Sequence, residues 1–400
     1  MSVDLDAIPE PAPPIRRPDT RRWLAALGFT LLTGVSLTLW NWKPERTSLT
    51  FWLCTQGLPV ALWGLCFTLR RYSYKCDQVW AASWNRERKQ LIEQETQRGQ
   101  RCARILGAAV TAQPGTGPEK LMRAVIGASP IMTVSVPRAG GAPVRHTELP
   151  GFPSFQPETL EPAIARLVSQ SVQTLAKVPA AMPCALLVDC DIPGMADIGE
   201  RVARILTGKT QRTVKIRRDN GPVALDRWLD SGWSAPSVLL VFSMVLRDYH
   251  QEGEGEAMAL LTLANRPLSA FPQAARLHRP ERGSGASLRK ALARALLWMD
   301  LAPGDLREAW LSGPLTTQGS AWNLACEENG LALNLTEDNR NIDMVTGNTG
   351  SASPWVAVAL AACRAEAEGT PQAVVAQDGE SDIWIAGITP EKSYSSQQDQ

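Results

Sequence analysis

Residues 343–363 read Asp343-Met-Val-Thr346-Gly347-Asn348-Thr349-Gly350-Ser351-Ala-Ser353-Pro354-Trp355-Val-Ala-Val-Ala-Leu-Ala-Ala-Cys363. A small turn over residues 347–351 leads into a helix of almost pure Ala, Val and Leu. Ser351 or Ser353 suits the N-cap of that helix, and Pro354 suits its first turn. From Trp355 to Cys363 no polar face recurs, so the spacing predicts a helix buried all round. A Gly-rich turn that opens a buried helix aims backbone N–H groups and the positive helix end at a cleft.

The chain of 400 residues is long enough for one large domain or two smaller ones. Its formal net charge is +1, with acids and bases in balance, so nothing calls for a nucleic-acid partner. Hydrophobic residues make up 44%, and 14 Trp against 7 Phe fits a globular or membrane-linked chain rather than a disordered one. The cysteines are scattered, form no C-x-x-C pair and lie mostly in apolar runs, which fits reduced, buried thiols better than zinc ligands. His146, His250 and His278 stand in no obvious motif. No cofactor and no metal are expected.

Residues 1–20 are Pro-rich and acidic first, which predicts a flexible, uncleaved tail. Residues 23–40 and 49–69 are apolar runs close to the roughly 20 residues a bilayer span needs. Trp23, Trp40, Trp42 and Trp52 sit at the run ends like an aromatic belt, with Arg21 and Arg22 before the first and Arg70, Arg71 and Lys75 after the second. The positive-inside rule then places both termini in the cytoplasm and residues 41–48 outside. The expected order is a transmembrane hairpin over 21–71, a polar stalk helix over 72–103 and an α/β body over 104–390. Within the body, 104–250 and 251–390 are two successive halves, and 391–400 is a polar tail. The periodicities predict strands at 105–112, 131–136, 184–188, 213–216, 237–245, 257–263, 342–346, 373–376 and 383–386. Helices are expected at 158–175, 198–206, 223–229, 287–301, 321–329 and 354–367.

Four stretches, in order, resemble the β-ketoacyl synthases of the thiolase-like superfamily. Arg217-Arg218-Asp219-Asn220-Gly221-Pro222 stands where that family has its nucleophilic cysteine at a tight elbow. Gly253-Glu254-Gly255-Glu256-Ala257 resembles a Gly-Glu-Gly-Ala strand that opens the second half. Leu311-Ser312-Gly313-Pro314-Leu315-Thr316 resembles a His-Gly-Thr-Gly-Thr loop, with Ser312 for the first His. In the opening stretch Asn348 and Gly350 match, Thr346 stands for a Lys and Ser351 for the second His. The resemblance implies a duplicated, layered α/β/α/β/α thiolase-like domain behind a two-helix transmembrane hairpin. It also implies a cleft formed by Asn220, Gly221, Ser312, Thr346, Asn348 and Ser351, and a homodimer joined through residues 237–245.

Decarboxylative condensation needs an activated thiolate and groups that hold a developing oxyanion. Serine is neither cation nor base near neutral pH, and Asn220 and Gly221 are not nucleophiles. The resemblance therefore implies a pseudo-enzyme with no catalytic residues. Its expected role is that of an inner-membrane adaptor or scaffold for protein partners of a membrane-associated machine. The layout is similar in outline to accessory proteins of type VI secretion. The alternative is a membrane-tethered condensing enzyme with a displaced nucleophile, Cys190 or Cys326. Other signals are weaker. Leu206–Thr210 lacks the upstream Gly of a phosphate loop and reads as a helix end at Gly208. Asp189 and Asp191 flank a strand-end turn at Pro193 and Gly194 rather than a metal.

Overall fold

The computed structural model describes residues 3–42, 48–128, 132–152, 157–192, 197–219 and 221–391. It divides into two compact units, 4–95 and 96–400, the latter joined by residues 1–3.

The smaller unit is a pair of helices. Helix α1, Thr20–Asn41, starts at Asp19, whose carboxylate accepts from the Arg21 N–H at 2.9 Å. Helix α2 runs from Leu49 to Gly99, with a π-turn at Leu53–Gly57. The Trp63 indole N–H donates to the Trp23 carbonyl at 2.9 Å, and Phe67 meets both tryptophan rings. Gly34 lies against Pro59, leaving no space for a Cβ. Both helices are long and apolar enough to cross a membrane, and Phe29, Leu32, Leu62 and Leu65 are exposed. Residues 43–47, which carry most of the expected outside loop, lie outside the described residues. The N-terminal segment departs from the expected flexible tail. The Trp84 indole donates to the Glu10 carbonyl at 3.0 Å, Arg88 to the Pro9 carbonyl at 2.7 Å, and Ala12 N–H to Asn85 at 2.9 Å. Past the turn at Leu5–Ala7 the backbone is extended and Pro-rich, a conformation without internal backbone bonds, so its carbonyls are open to such donors.

The larger unit is built from a repeated strand plan. Numbered in chain order, the strands are β1 Ala103–Ala112, β2 Gly115–Thr116, β3 Thr133–Ser135, β4 Val144–His146, β5 Cys184–Asp191, β6 Val214–Ile216, β7 Val238–Val245 and β8 Ala257–Ala264. They continue as β9 Arg276–Leu277, β10 Glu281–Gly283, β11 Glu308–Ser312, β12 Asn339–Asn341, β13 Gln372–Asp378 and β14 Asp382–Thr389. The pair β3–β4 is a separate ribbon. In the main sheet β6, β5 and β7 are parallel, with β8 and then β1 antiparallel beside them. The second set repeats this: β12, β11 and β13 are parallel, with β14 and then β9 and β10 antiparallel. The two sets join where β9 pairs with β1. The repeat moves the expected boundary at 250/251: β8 closes the first half, and the second begins at β9, because β8 takes its ladder from β7 and β1.

Helices α3 Pro118–Ile126, α4 Pro157–Ala176, α5 Ile198–Thr210, α6 Gly221–Ser231, α7 Leu288–Met299, α8 Pro314–Thr317, α9 Ala321–Glu328, α10 Asp343–Thr346 and α11 Ser353–Glu368 complete the unit. Strand alternation sorts them into layers. In β7, Leu240, Phe242 and Met244 pack with α4 and α5, while Leu239 and Val241 pack with α6 and α11. In β11 and β13, Trp310 and Val374 face that same middle layer, and Ala309, Leu311, Ala373 and Val375 face α7 and α9. The result is α/β/α/β/α. Both faces of each sheet are covered, which is why β7 and β8 are buried at every position. Near the start of this unit, Arg98 and Arg101 meet Asp230, and the buried Arg279 bonds to Asp226 and Asp230.

Several expected elements shift. Residues 342–346 form the short helix α10, not a strand, because Asn341 turns the chain by accepting from the Asp343 N–H at 3.0 Å. The stalk helix ends at Gly99 and β1 starts at Ala103. Helix α5 runs through Gly208 to Thr210 and is closed by Gln211 at φ 56°. Neither Ser351 nor Ser353 caps α11: Ala352 is the N-cap, and the Ser353 hydroxyl is engaged with Thr349 at 2.9 Å. Strand β7 is paired on both sides, so it is no edge; the open edge of that half is β6. Glu391 pairs with Arg104, and the rest of the expected C-terminal tail, 392–400, lies outside the described residues, as do Pro193 and Gly194.

Candidate functional site

A cavity of about 450 Å3 opens where the two halves meet in the middle layer. Gly221 and Pro222 from the start of α6, Asn348, Ser351 and Pro354 from the start of α11, Asp189 from β5 and Gln377, Asp378 and Trp384 from the β13–β14 turn all line it. Two helix N-termini thus reach one space, for a sequence reason. Gly221 holds φ +64°, a conformation that costs other residues free energy, and each helix has a Pro early in its first turn.

Asp189 ties these parts together. Its carboxylate accepts the Trp355 indole N–H at 2.7 Å and is also hydrogen-bonded by the Gly221 backbone. Burial pushes this carboxyl above its usual range, against the pull of the Trp355 bond. The Ser351 hydroxyl is buried without a protein partner. Among the described lining residues there is no Cys, His or Lys. The cavity offers hydroxyl, amide and carboxylate groups, together with helix-terminal N–H donors.

Of the residues expected in the cleft, Gly221, Asn348 and Ser351 line this cavity together, and Asn220 lies outside the described residues. Ser312 and Thr346 do not line it. The Ser312 hydroxyl donates to Asp343 at 2.6 Å, and the same carboxylate accepts from the Gly313 N–H at 2.7 Å. Gln377 packs against Gly313 where a Cβ would stand and takes the Leu315 N–H at 2.9 Å, so it occupies the side of the loop that faces the cavity. Thr346 is fully buried, with its hydroxyl 2.9 Å from the Gly347 carbonyl. Asp189, Gln377, Asp378 and Trp384 were not expected. Asp189 had a local signal, a polar residue at the end of an apolar strand, whereas the β13–β14 turn had none.

A loop between β7 and β8 supports the Asn348 turn. Gly255 N–H donates to the Asn348 carbonyl at 3.0 Å and Asn348 N–H to the Gly253 carbonyl at 2.8 Å. Gly255 is pressed between the Thr346 carbonyl and Thr147, where no Cβ fits.

The two cysteines considered as displaced nucleophiles lie elsewhere. Cys190 packs with the α4–α5 layer and Cys326 with the α7–α9 layer, each on the far side of a sheet from the middle layer. Burial pushes the Cys190 thiol far up and the Cys326 thiol up to about 12.

No protein-family model matches the chain, and no curated protein sequence matches it. Solved structures do. The ketosynthase/chain length factor of ishigamide biosynthesis is similar at TM-score 0.51 and 14% identity, covering 72% of this chain and 99% of that one. A type II polyketide ketosynthase in complex with its acyl-carrier protein is similar at 0.53 and 10%, covering 72% and 99%. The ketosynthase from module 6 of the bacillaene synthase of Bacillus subtilis 168 is similar at 0.53 and 10%, covering 72% and 72%. At these identities the likeness is one of fold: the body of the chain has the thiolase-like architecture of ketosynthases.

Proposed function

We propose that this thiolase-fold protein is a non-catalytic bacterial inner-membrane adaptor or scaffold. It crosses the membrane twice and holds its ketosynthase-like body in the cytoplasm, where that body binds protein partners. The observation that carries this reading is the lining of the cavity. Gly221, Asn348 and Ser351 surround it with Asp189 and Asp378, and no described lining group is a thiol, an imidazole or an amine. Condensation of acyl thioesters needs a thiolate within reach of oxyanion donors, and two carboxylates oppose a developing anion. Docking of a carrier or effector protein fits the fold, one similar structure being a ketosynthase with its acyl-carrier protein. The membrane hairpin in front of such a body is the layout that suggests a type VI secretion machine.

The test is incubation of the purified chain with labelled acyl and malonyl thioesters, followed by intact-mass measurement. The expected result is no covalent adduct, and Ser351→Ala leaves partner binding unchanged. A stable adduct lost in Cys190→Ala or Cys326→Ala would establish a condensing enzyme instead.

A further inference from the structure

Away from the cavity lining, the ribbon strand β4 and the β7–β8 loop bring two histidines and a glutamate together. The ligand atoms of His146, Glu148 and His250 all lie within 4.8 Å of one another. The two imidazoles are stacked, with centroids 4.2 Å apart. Both rings are buried: the side chains are 1% and 0% exposed.

Three details set this cluster apart from ordinary core histidines. The His146 Nδ1 atom is 3.0 Å from the Val144 carbonyl, which can only accept, so Nδ1 carries the proton. In the neutral ring Nε2 then presents a lone pair, and it stands 3.3 Å from the Glu148 carboxylate, another acceptor. Two acceptors facing one another require a cation or a proton between them. An imidazole fixed by an Nδ1–H to carbonyl bond, with Nε2 aimed at a carboxylate, is the arrangement of a metal-binding histidine. Second, neither ring nitrogen of His250 has a hydrogen-bond partner, although the side chain is fully buried. Its nearest anion, Glu256 at 3.5 Å, is already saturated. Glu256 accepts from both Arg138 guanidinium nitrogens at 2.9 and 3.0 Å and from the Leu149 and Arg247 N–H groups, each at 2.8 Å. A buried polar group left without a partner costs roughly 1–3 kcal/mol. Third, the Arg138 guanidinium pairs with Glu256, while the Glu148 carboxylate, which accepts the Arg138 backbone N–H at 3.2 Å, brings a carboxylate oxygen to the two rings. Arg138 also approaches Glu148, at 3.8 Å, but its guanidinium is committed to Glu256.

We propose that His146, Glu148 and His250 form a binding site for a divalent transition-metal ion of the zinc type. Two imidazole nitrogens and one carboxylate oxygen are a donor set that such ions favour over calcium or magnesium, and they leave one position for water. Zinc–ligand bonds of about 2.0–2.2 Å place donors closer together than they stand here. Glu148, whose side chain is 34% exposed, is the group that would swing inward, exchanging its 3.2 Å bond from the Arg138 N–H for the ion, and it gives the ion a way in from solvent. The site clamps the strand β4 segment to the β7–β8 loop. That loop in turn carries Gly253 and Gly255, which hold the Asn348 turn at the cavity.

The experiment uses the full chain in detergent, stripped with a chelator and then titrated with Zn2+ and, separately, Co2+. One equivalent of Zn2+ is expected to remain after gel filtration and to raise the melting temperature. Co2+ should give visible d–d absorption of nitrogen–oxygen ligation. His250→Ala and Glu148→Gln should each weaken binding by on the order of 100-fold. Glu148→Gln preserves the side-chain volume at a part-exposed position, so it reports binding even where His250→Ala fails to fold. A stripped chain that takes up no stoichiometric metal, or an equivalent bound undiminished by Glu148→Gln, would overturn the proposal. Either outcome leaves the acyl-thioester test above unaffected.

Discussion

Ser312 shows how a residue can hold a motif position without joining the site. Its hydroxyl is turned away by Asp343, whose carboxyl burial pushes up to about 6, against the pull of the Ser312 and Gly313 bonds. In an unfolded chain such a carboxyl titrates near about 3.9. Between these values the folded chain binds more protons than the unfolded chain. The stability from this group is therefore complete below about pH 4 and lost as pH climbs through about 6. Asp343→Asn keeps an acceptor for Gly313 and supplies a donor to Ser312, but it does not titrate. The variant is expected to lack the fall in melting temperature across that window and to be at least as stable as the parent at pH 7.5. Melting curves from pH 3.5 to 8 check this; identical pH profiles for the two proteins would refute it.

At the scale of elements, burial follows the apolar pattern closely. Helix α11 is buried from Ser353 through Ala362, as expected for a helix without a polar face. Strand β7 is just as apolar, yet that reflects its place between β5 and β8 rather than a dimer seam. We propose that the chain self-associates; this needs an open ladder, and β6 provides one: Ile216 is 42% exposed. Arg217 N–H bonds inward to Leu186, so by the two-residue period the Ile216 N–H points outward. Ile216→Pro removes that outward donor and spares the internal ladder. A second copy pairing at β6 is expected to be lost in this variant, giving monomers by light scattering where the parent is dimeric. A parent that is itself monomeric at high micromolar concentration counts against self-association, and an unchanged dimer in the variant places the seam elsewhere.

For the whole molecule, the proposed topology rests on the arginines around two apolar helices. Glu45→Cys, made in a chain whose Cys54, Cys66 and Cys76 are serine, is expected to react with a membrane-impermeant thiol reagent in intact spheroplasts. Reaction only after the inner membrane is opened would reverse the orientation. The α/β body shows why the fold survives such sequence drift. Its strand plan occurs twice, and each sheet is covered on both faces, so most positions ask only for small or branched apolar side chains of fitting volume.

The sequence by itself determined the two apolar helices, the buried helix after Ser351 and nearly all the long strands. Each of these is written in a local period of about 3.6 or 2, or in an unbroken apolar run. The resemblance of four short motifs implied a cleft with Gly221, Asn348 and Ser351, and these three line one cavity. Only the tertiary structure decided what those periods cannot carry. The ladder from β7 to β8 to β1 put β8 in the first half. A side-chain bond from Ser312 to Asp343 turned one expected cleft residue aside, and Gln377 took its side of the cavity. His146, Glu148 and His250 stood in no motif, because only the packing of strand β4 against the β7–β8 loop brings together residues about a hundred positions apart.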